Sequence, residues 1–488
     1  MRLSDLLPLL DSDRTDLGRL DIRSVTEDSR RAAPGCLFFA LRGEHVDGHD
    51  YIERAAAQGA VAVAGDRADI VASGGLPYIR CTNPRRALGA IAHRLAGDPS
   101  RALTVIGVTG TNGKSSVVNL LQRMLEEAGH PTACFGTLGY VLGDEHIPAP
   151  HTTPFAEDLA RIFAAARDKG MTHVAMEVSS HALIQERVAG IRFDAAAFTN
   201  LTRDHLDYHR DLEDYLEAKL LLFKRLERSG AFAVVNLDDP AAPRFLSATN
   251  APRRTYGTGG DYSASDIRIE ANRMRFRAAT PAGDVDIETR LLGRFNVSNI
   301  LCAMATGGGL GLGLDTMRRA LAGMPCVPGR FEHVDVGQPF QVIVDYAHTE
   351  DGLRNALQAA RDLCRGRLLV VFGCGGDRDR GKRPKMGAAA ATLSDFSILT
   401  SDNPRSEDPL RILEDIEAGM TASGRTRDAG YLLEPDRAAA IERAIRMARP
   451  GDVVMIAGKG HEDYQILGST RIHFDDRETA REVLRRLA

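Results

Sequence analysis

Three short stretches hold residue types that can do chemistry: "TVIGVTGTNGKSS" (Thr104–Ser116), "AMEVSSHAL" (Ala175–Leu183) and "FTNLTRDHLDYHRD" (Phe198–Asp211). The first reads as a strand, a glycine loop and a helix expected over 117–128. Glycines let backbone N–H groups close around phosphate oxygens, and the helix N-terminus adds the positive end of its dipole. Lys114 can reach the outer phosphates, and the Ser115 hydroxyl suits Mg²⁺. The strict G-x-x-x-x-G-K-[ST] pattern would need glycine at 108, where Val108 stands. The loop is G-x-x-G-T-N-G-K-S instead, with Gly107, Gly110 and Gly113. A glycine-rich turn with a chance lysine would look similar, but strand, G-K-S core and helix together predict a bound nucleoside triphosphate.

The second stretch sets Glu177, Ser179, Ser180 and His181 at the end of an apolar strand, where ligands collect in open α/β sheets. The third packs Asn200, Asp204, His205, Asp207 and His209 together. A carboxylate and an imidazole can complete the shell of a Mg²⁺ that bridges phosphates. Any one of these residues alone would read as a polar loop or a helix cap; their density beside a phosphate loop favours the functional reading. The same cluster also resembles ligands of a two-metal phosphohydrolase. That reading ranks second, because such an enzyme has no use for the glycine loop. A fourth stretch, "TSDNPRSEDP" (Thr400–Pro409), is by default a solvated turn between two core elements, and the question there is whether Arg405 selects a substrate.

The elements that must position these residues are those of a multidomain α/β protein. The 488 residues exceed one core and suggest about three domains. With 43% hydrophobic and 26% charged residues the chain is an ordinary globular enzyme in composition, and a net charge of −4 argues against nucleic acid as partner. Seven scattered cysteines without a C-x-x-C pair fit reduced thiols in a cytoplasm rather than disulfides or zinc. No apolar run suits a signal peptide or a membrane span, so no membrane insertion is expected. Short β-branched runs ("LTVIGVTG", "THVAMEVSS", "AFAVVNLDD", "FQVIVDYAH", "RLLVVFGCGG", "DVVMIAGKG") alternate with Ala/Leu/Arg-rich helical segments, which predicts parallel sheets. Breaks near Asp98–Arg101 and in "MPCVPGR" (Met324–Arg330) divide the chain into 1–99, 100–328 and 329–488. Thr258–Arg290, with alternation in "RIEANRMRFRA", reads as a short antiparallel excursion.

A run of motifs now makes a family visible. "GTNGKSS", "TTP" (Thr152–Pro154), "EVSSH", "FTNLTRDHLDYH", "YLEAK", "GRFNVSN", "VPGRFE", "DYAHT", "FGCGGDRDRGKRPKM", "DNPR" and "AGKGHEDYQ" occur in that order. The chain resembles the Mur ligases of peptidoglycan synthesis from Glu27–Gly43 to "HFDDRE" near its end. "GTNGKS" alone would suggest only a wider superfamily that includes folylpolyglutamate synthases. "GCGGDRDRGKRP" and "DNPR" point to the members that add 2,6-diaminopimelate. The resemblance implies a central P-loop-type ATP domain between an N-terminal uridine-nucleotide domain and a C-terminal Rossmann-like amino-acid domain. It implies that a D-glutamate carboxylate of UDP-N-acetylmuramoyl-L-Ala-D-Glu attacks the γ-phosphate of ATP. The amine of meso-diaminopimelate then displaces phosphate from the acyl phosphate. L-lysine as the added amino acid is the close alternative, and a binding protein that has lost catalysis a distant one. The expected enzyme works in the cytoplasm as a monomer.

The resemblance also carries residues over. Gly110, Thr111, Asn112, Gly113, Lys114, Ser115 and Ser116, with Asn296, Asn299, Arg330, Asp345 and His348, match ATP positions. Lys114, Lys219 and His205 match catalytic positions, and Ser115, Glu177 and His205 match metal ligands. Lys219 aligns with a lysine that relatives carry as a carbamate, a fourth ligand; its spacing alone predicts an exposed helical lysine. Ser29, Thr152, Thr153, Ser179, Gln185 and Arg187 match contacts to the muramoyl dipeptide nucleotide. Arg378, Asp402, Asn403, Pro404, Arg405, Gly458 and Glu462 match the diaminopimelate site. There the Arg405 guanidinium would pair with the second carboxylate that lysine lacks, and Glu462 with an ammonium. As structure only, "RFNVSNILCAMA" is a helix opening with a cap. Relatives commonly read "DYAHTPD", whereas Glu350 stands here, which leaves the turn after His348 open.

Overall fold

The computed structural model describes residues 1–12, 14–43, 46–70, 72–270 and 272–487. Three sheets each draw their strands from one stretch of chain. The first has five strands, with Ser24–Thr26, Cys36–Ala40, Ala60–Gly65 and Leu76–Arg80 parallel and Ala72–Ser73 antiparallel at the edge. The second has eight: Arg253–Tyr256, Phe232–Asn236, Ala195–Phe198, Thr104–Thr109, His173–Glu177 and Thr132–Gly136 run parallel, and Gly139–Leu142 and Glu145–Ile147 finish it antiparallel. The third sheet orders Glu332–His333, Gln341–Asp345, Val453–Ala457, Leu368–Phe372, Phe396–Leu399 and Tyr431–Leu433, all parallel but the first.

The inner strands read as continuous apolar runs because helices cover both faces. Thr104–Thr109 and Leu368–Phe372 are buried almost throughout. Ser263–Thr289 forms the expected antiparallel excursion as three strands, with every second residue of Met274–Thr280 buried against the core. Ala271, inside the alternating stretch, lies outside the described residues. Among the described residues no helix is long and apolar enough to cross a membrane.

Two helices begin differently from the sequence expectation. The helix after the glycine loop spans Lys114–Glu127, three residues earlier than expected. Gly113 supplies the left-handed N-cap (φ 85°), so Lys114 and Ser115 already belong to the first turn. The "RFNVSN" helix, Arg294–Gly309, opens on Gly293 with no side-chain cap. The turn after His348 is well formed despite Glu350. Thr349 caps the helix Glu350–Leu363 through Gly352 N–H, and Glu350 occupies the first turn, where a carboxylate suits the dipole as well as a proline suits the backbone.

Candidate active site

Parallel strands bring their carboxyl ends to one edge, and register decides which residues meet there. Val108 lies opposite both Glu177 and Ala197, so the glycine loop, Glu177 and Thr199–Asn200 emerge side by side. Asn200 Oδ1 accepts from Asn112 N–H (2.9 Å), while Thr199 Oγ1 donates to Asn112 C=O (2.6 Å). Gly113 is obligatory: a Cβ there would stand 2.3 Å from Asn299 Oδ1. Lys114 Nζ donates to the carbonyls of Gly110 (2.9 Å) and Thr111 (2.7 Å), and burial lowers its pKa against the pull of Glu177 and Asp204.

The head of the loop meets the third sheet. Ser115 Oγ donates to Glu177 Oε1 (2.8 Å) and accepts from Arg330 Nη2 (2.9 Å). Asp345, at the end of its strand, accepts from Phe331 N–H (2.7 Å) and Ala347 N–H (2.8 Å), which fixes the segment carrying Arg330. Burial raises the Asp345 carboxyl to about 6, with Arg330 opposing. The cleft between the two sheets encloses about 270 Å³. Thr111, Asn112, Gly113, Lys114, Ser115, Ser116, Glu177, His205, Asn299, Arg330, Asp345 and His348 line it. Gly110 and Asn296 lie behind; Asn296 Oδ1 accepts from Asn299 Nδ2 (3.0 Å) and so orients the residue that does line the cleft.

Lys219 corrects the expectation from spacing, since it is 1% exposed rather than solvated. Its helix, Leu212–Lys224, turns this face inward behind the glycine loop. Nζ donates to Gly110 C=O (2.8 Å) and sits 4.2 Å from the Tyr215 ring centroid. Burial, then the neighbouring Lys114 charge, depress its pKa well below that of a free lysine. That shift favours the uncharged amine, which is the nucleophilic form of a lysine.

The hydrolase cluster does not assemble. His209 turns away, with Nε2 2.9 Å from Ser180 Oγ and Nδ1 3.4 Å from Asp214. No group of three or more His, Cys, Asp or Glu among the described residues could hold a metal by itself. His205 pairs with Asp204 (3.4 Å) in the cleft, and desolvation there lowers its pKa although Asp204 pulls it up.

Two larger cavities flank the cleft. One, about 1170 Å³, lies between the first two sheets and is lined by Ser29, Gln185 and Arg187, with Arg31, Arg42 and Arg85 adding positive charge. The other, about 760 Å³, is lined by Thr152, Thr153, Ser179 and Arg187 on one wall. Its opposite wall carries Arg378, Asp402, Asn403, Arg405, Gly458 and Glu462. Arg187 therefore borders both, braced by Gln185 Oε1 (2.7 Å) and the Thr153 carbonyl (2.9 Å). Pro404 does not line the cavity.

The "TSDNPRSEDP" stretch is no solvated turn. Thr400 to Pro404 are buried, because they continue the inner strand Phe396–Leu399 into the interior of the cleft. Arg405 takes a left-handed backbone (φ 53°) that a side chain seldom adopts. The hairpin Tyr464–His473 holds it there, through Ile466 C=O (3.2 Å) and Gly468 N–H (2.9 Å). Arg405 Nη1 donates to Gly376 C=O (2.8 Å), and among the described residues Nε and Nη2 have no partner. Strain of this kind persists where the surroundings over-determine a functional side chain. Glu462 accepts from Asn403 Nδ2 (3.0 Å).

Sequence reasoning missed two groups. Lys459 is 0% exposed at the centre of the amino-acid wall, and its signal was a lysine between two glycines directly after an apolar strand, in "AGKGHEDYQ". Asp351 Oδ2 accepts from Asn112 Nδ2 (2.9 Å) and so ties the third sheet's first helix to the glycine loop; its signal was its place as the last residue of the "DYAHTPD"-like run.

Comparison with known proteins agrees with this architecture. Three family models match: "Mur ligase family, catalytic domain" over 21–95, "Mur ligase middle domain" over 108–307, and "Mur ligase, glutamate ligase domain" over 329–460. The chain is 48% identical over 476 residues to the UDP-N-acetylmuramoyl-L-alanyl-D-glutamate–2,6-diaminopimelate ligase of Geobacillus kaustophilus, covering 96% of each. It is 45% identical to the protein of that name from Geobacter metallireducens, covering 100% of this chain and 99% of the other. A solved structure of that name superposes with a TM-score of 0.71 at 32% identity, covering 100% of this chain and 99% of the other. MurF ligase from Thermotoga maritima, solved with ADP, shares the fold with a TM-score of 0.65 at 19% identity, covering 96% of this chain and 99% of that one.

Proposed function

The chain belongs to the Mur ligase family, and from that premise we propose that it joins meso-2,6-diaminopimelate to UDP-N-acetylmuramoyl-L-Ala-D-Glu at the expense of ATP. The observation that carries the reading is the facing of two sheet edges. A phosphate loop stands on one wall, and a wall with both guanidinium and carboxylate groups stands on the other, across connected cavities. Residues 1–99 would hold the uridine nucleotide, 100–328 the ATP, and 329–488 the amino acid.

The chemistry follows from charge. The N–H groups of Gly113, Lys114 and Ser115 at the head of the loop, the Lys114 ammonium and the Arg330 guanidinium can draw negative charge from the β- and γ-phosphates. Asn299, Asp345 and His348 border the remaining nucleotide. Ser29, Gln185 and Arg187 would seat the uridine nucleotide, and Thr152, Thr153 and Ser179 the dipeptide end. That threading delivers the D-glutamate carboxylate to the phosphate loop, where it attacks the γ-phosphorus and ADP leaves. Arg405 and Arg378 then hold the distal carboxylate of diaminopimelate, and Glu462, Asp402 and Asn403 its ammonium, while Gly458 leaves room for the chain. The free amine at the other end attacks the acyl phosphate and expels phosphate, forming the amide.

Mg²⁺ fits the donor set at the loop head. Ser115 Oγ and the Glu177 carboxylate are hard oxygen donors 2.8 Å apart, and His205 lines the same cleft. Ser115, Glu177 and His205 would hold the ion together with the bound nucleotide. A bound Mg²⁺ neutralises charge on the transferring phosphoryl group. Lys219, as a carbamate, would add an anion to this end; its depressed pKa supports the neutral amine such a modification needs. The reading makes the protein a monomer, and a soluble precursor pathway in the cytoplasm suits these ligands.

The test is ADP release with the dipeptide nucleotide, ATP and Mg²⁺, comparing meso-diaminopimelate with L-lysine. Release with diaminopimelate alone is expected. Preference for lysine would remove the role given to Arg405, and release without any amine would return the hydrolase.

A further inference from the structure

The wall that carries Glu462 is organised around a charge that does not itself reach the cavity. Lys459 follows the strand Val453–Ala457 and is wholly buried. Its ammonium lies 3.1 Å from Glu462 Oε2, 3.5 Å from Asp402 Oδ1 and 3.4 Å from Asn403 Oδ1. Asn403 completes the set, since its amide donates to the same Glu462 oxygen (3.0 Å) while its carbonyl accepts from Ile466 N–H (3.0 Å). Two loops that are far apart in sequence thus meet on one ammonium.

Charge counting shows what this arrangement leaves over. Asp402 and Glu462 face Lys459, and behind them the fully buried Arg437 is paired with Asp476 (2.7 Å). Asp402 and Glu462 therefore share the one ammonium of Lys459, because Arg437 is taken by Asp476. Two buried carboxylates on one buried cation favour a second cation from the ligand. The oxygen open to such a cation is Glu462 Oε1, whose hydrogen-bond donor among the described residues is the Tyr346 hydroxyl at 3.5 Å.

We propose that Lys459 is a positioning residue for the incoming amino acid. Its ammonium and the Asn403 amide hold Glu462 Oε2, so that the carboxylate stays ionised with Oε1 turned to the substrate ammonium. The proposal rests on the diaminopimelate reading of this cavity. Without Lys459, two buried carboxylates would share one place, and one of them would take up a proton instead of a ligand. Burial and the Asp402 charge already push the Glu462 pKa up, while Lys459 and Asn403 hold it down. Tyr346 and Tyr464 also border the group, and His348, Lys382 and Arg437 act on it through Asp402.

Lys459→Met tests this, because methionine keeps length and volume but removes the charge. The KM for meso-diaminopimelate is expected to rise ~10- to 100-fold, as for loss of a charged hydrogen-bond partner, with kcat and the KM for ATP little changed. The sign with pH is fixed: a raised Glu462 pKa means that the variant's KM falls as pH rises and Glu462 ionises, whereas the wild-type KM stays flatter. In a Glu462→Gln background, adding Lys459→Met should cost less than ~3-fold more, because both changes remove the same interaction. Additive effects, or an equal rise in the KM for ATP, would overturn the proposal. So would a failure of both Lys459→Met and Lys459→Gln to fold, which would make Lys459 a stability residue. The functional reading fails separately, if the wild-type protein releases no ADP with diaminopimelate.

Discussion

The two sheet edges that face each other are built alike but give their lysines opposite partners. At the phosphate edge the half-buried Lys114 and the buried Lys219 both donate to the carbonyl of Gly110, and among the described residues neither side chain forms an ion pair with a carboxylate. At the amino-acid edge one buried lysine, Lys459, is met by two carboxylates. The lysines of the first edge meet carbonyl oxygens, whereas the lysine of the second is shared by two acidic side chains. A triphosphate can answer the donors of one edge, and an amino acid with a second ammonium the acceptors of the other. Each edge is a parallel sheet ending in loops, so the fold alone does not distinguish them; the partners of these lysines do.

The comparison breaks most completely at the phosphate edge. Lys114→Ala leaves the transferring phosphoryl group without its mobile cation, and ADP release should fall by at least ~10²–10³-fold, the cost of losing one transition-state donor. Measured turnover close to wild type would remove the role given to the Lys114 ammonium at that edge. At the other edge Arg405→Lys keeps a positive charge but loses the fork. The KM for meso-diaminopimelate should rise by ~2 kcal/mol, and the preference over L-lysine should narrow accordingly. Kinetics with both amines would check this, and an unchanged preference would mean that Arg405 is held in its left-handed conformation for some other purpose.

How much of this was readable beforehand depends on the range of each interaction. The parallel sheets were legible, because apolar β-branched runs such as "RLLVVFGCGG" must be covered on both faces. The glycine loop was legible, because its chemistry is local in sequence. Lys219 was not, since period alone places a lysine on a wet face and only the packing of Leu212–Lys224 behind the loop buries it. Nor was the burial of Thr400–Pro404, whose polar residues, aspartate and proline look solvated until the neighbouring strands close around them. Lys459 and Asp351 act on partners 57 and 239 positions away along the chain, a separation to which local pattern is blind.

A smaller effect sharpens the contrast at the loop itself. Gly113→Ala would place a methyl group 2.3 Å from Asn299 Oδ1, in a left-handed conformation (φ 85°). Strain of ~1–3 kcal/mol should appear as a lower Tm and a raised KM for ATP, with the KM for diaminopimelate unmoved. A similar rise in both KM values would show that the two edges are not independent in their ligands.

Whether the edges communicate is the finest question, and Asp351 addresses it. Its carboxylate stands at the start of the third sheet's first helix, yet accepts from Asn112 in the glycine loop (2.9 Å), from Asn355 (3.1 Å) and from Thr202 (3.5 Å). Burial raises its pKa, and the bonds from Asn112, Thr202 and Asn355 oppose that. The contact links the loop that surrounds phosphate to the body that carries the amino-acid wall. Asp351→Ala should remove a net ~0.5–1.5 kcal/mol, a KM for ATP raised several-fold, and should weaken diaminopimelate binding when measured with nucleotide bound but not without it. Asp351→Asn keeps an acceptor and should sit between the two. If diaminopimelate affinity in Asp351→Ala were the same with and without nucleotide, while the wild type showed a difference, this hydrogen bond would be the coupling element. If both proteins behaved alike, the two edges would share a cleft but not a mechanism of communication.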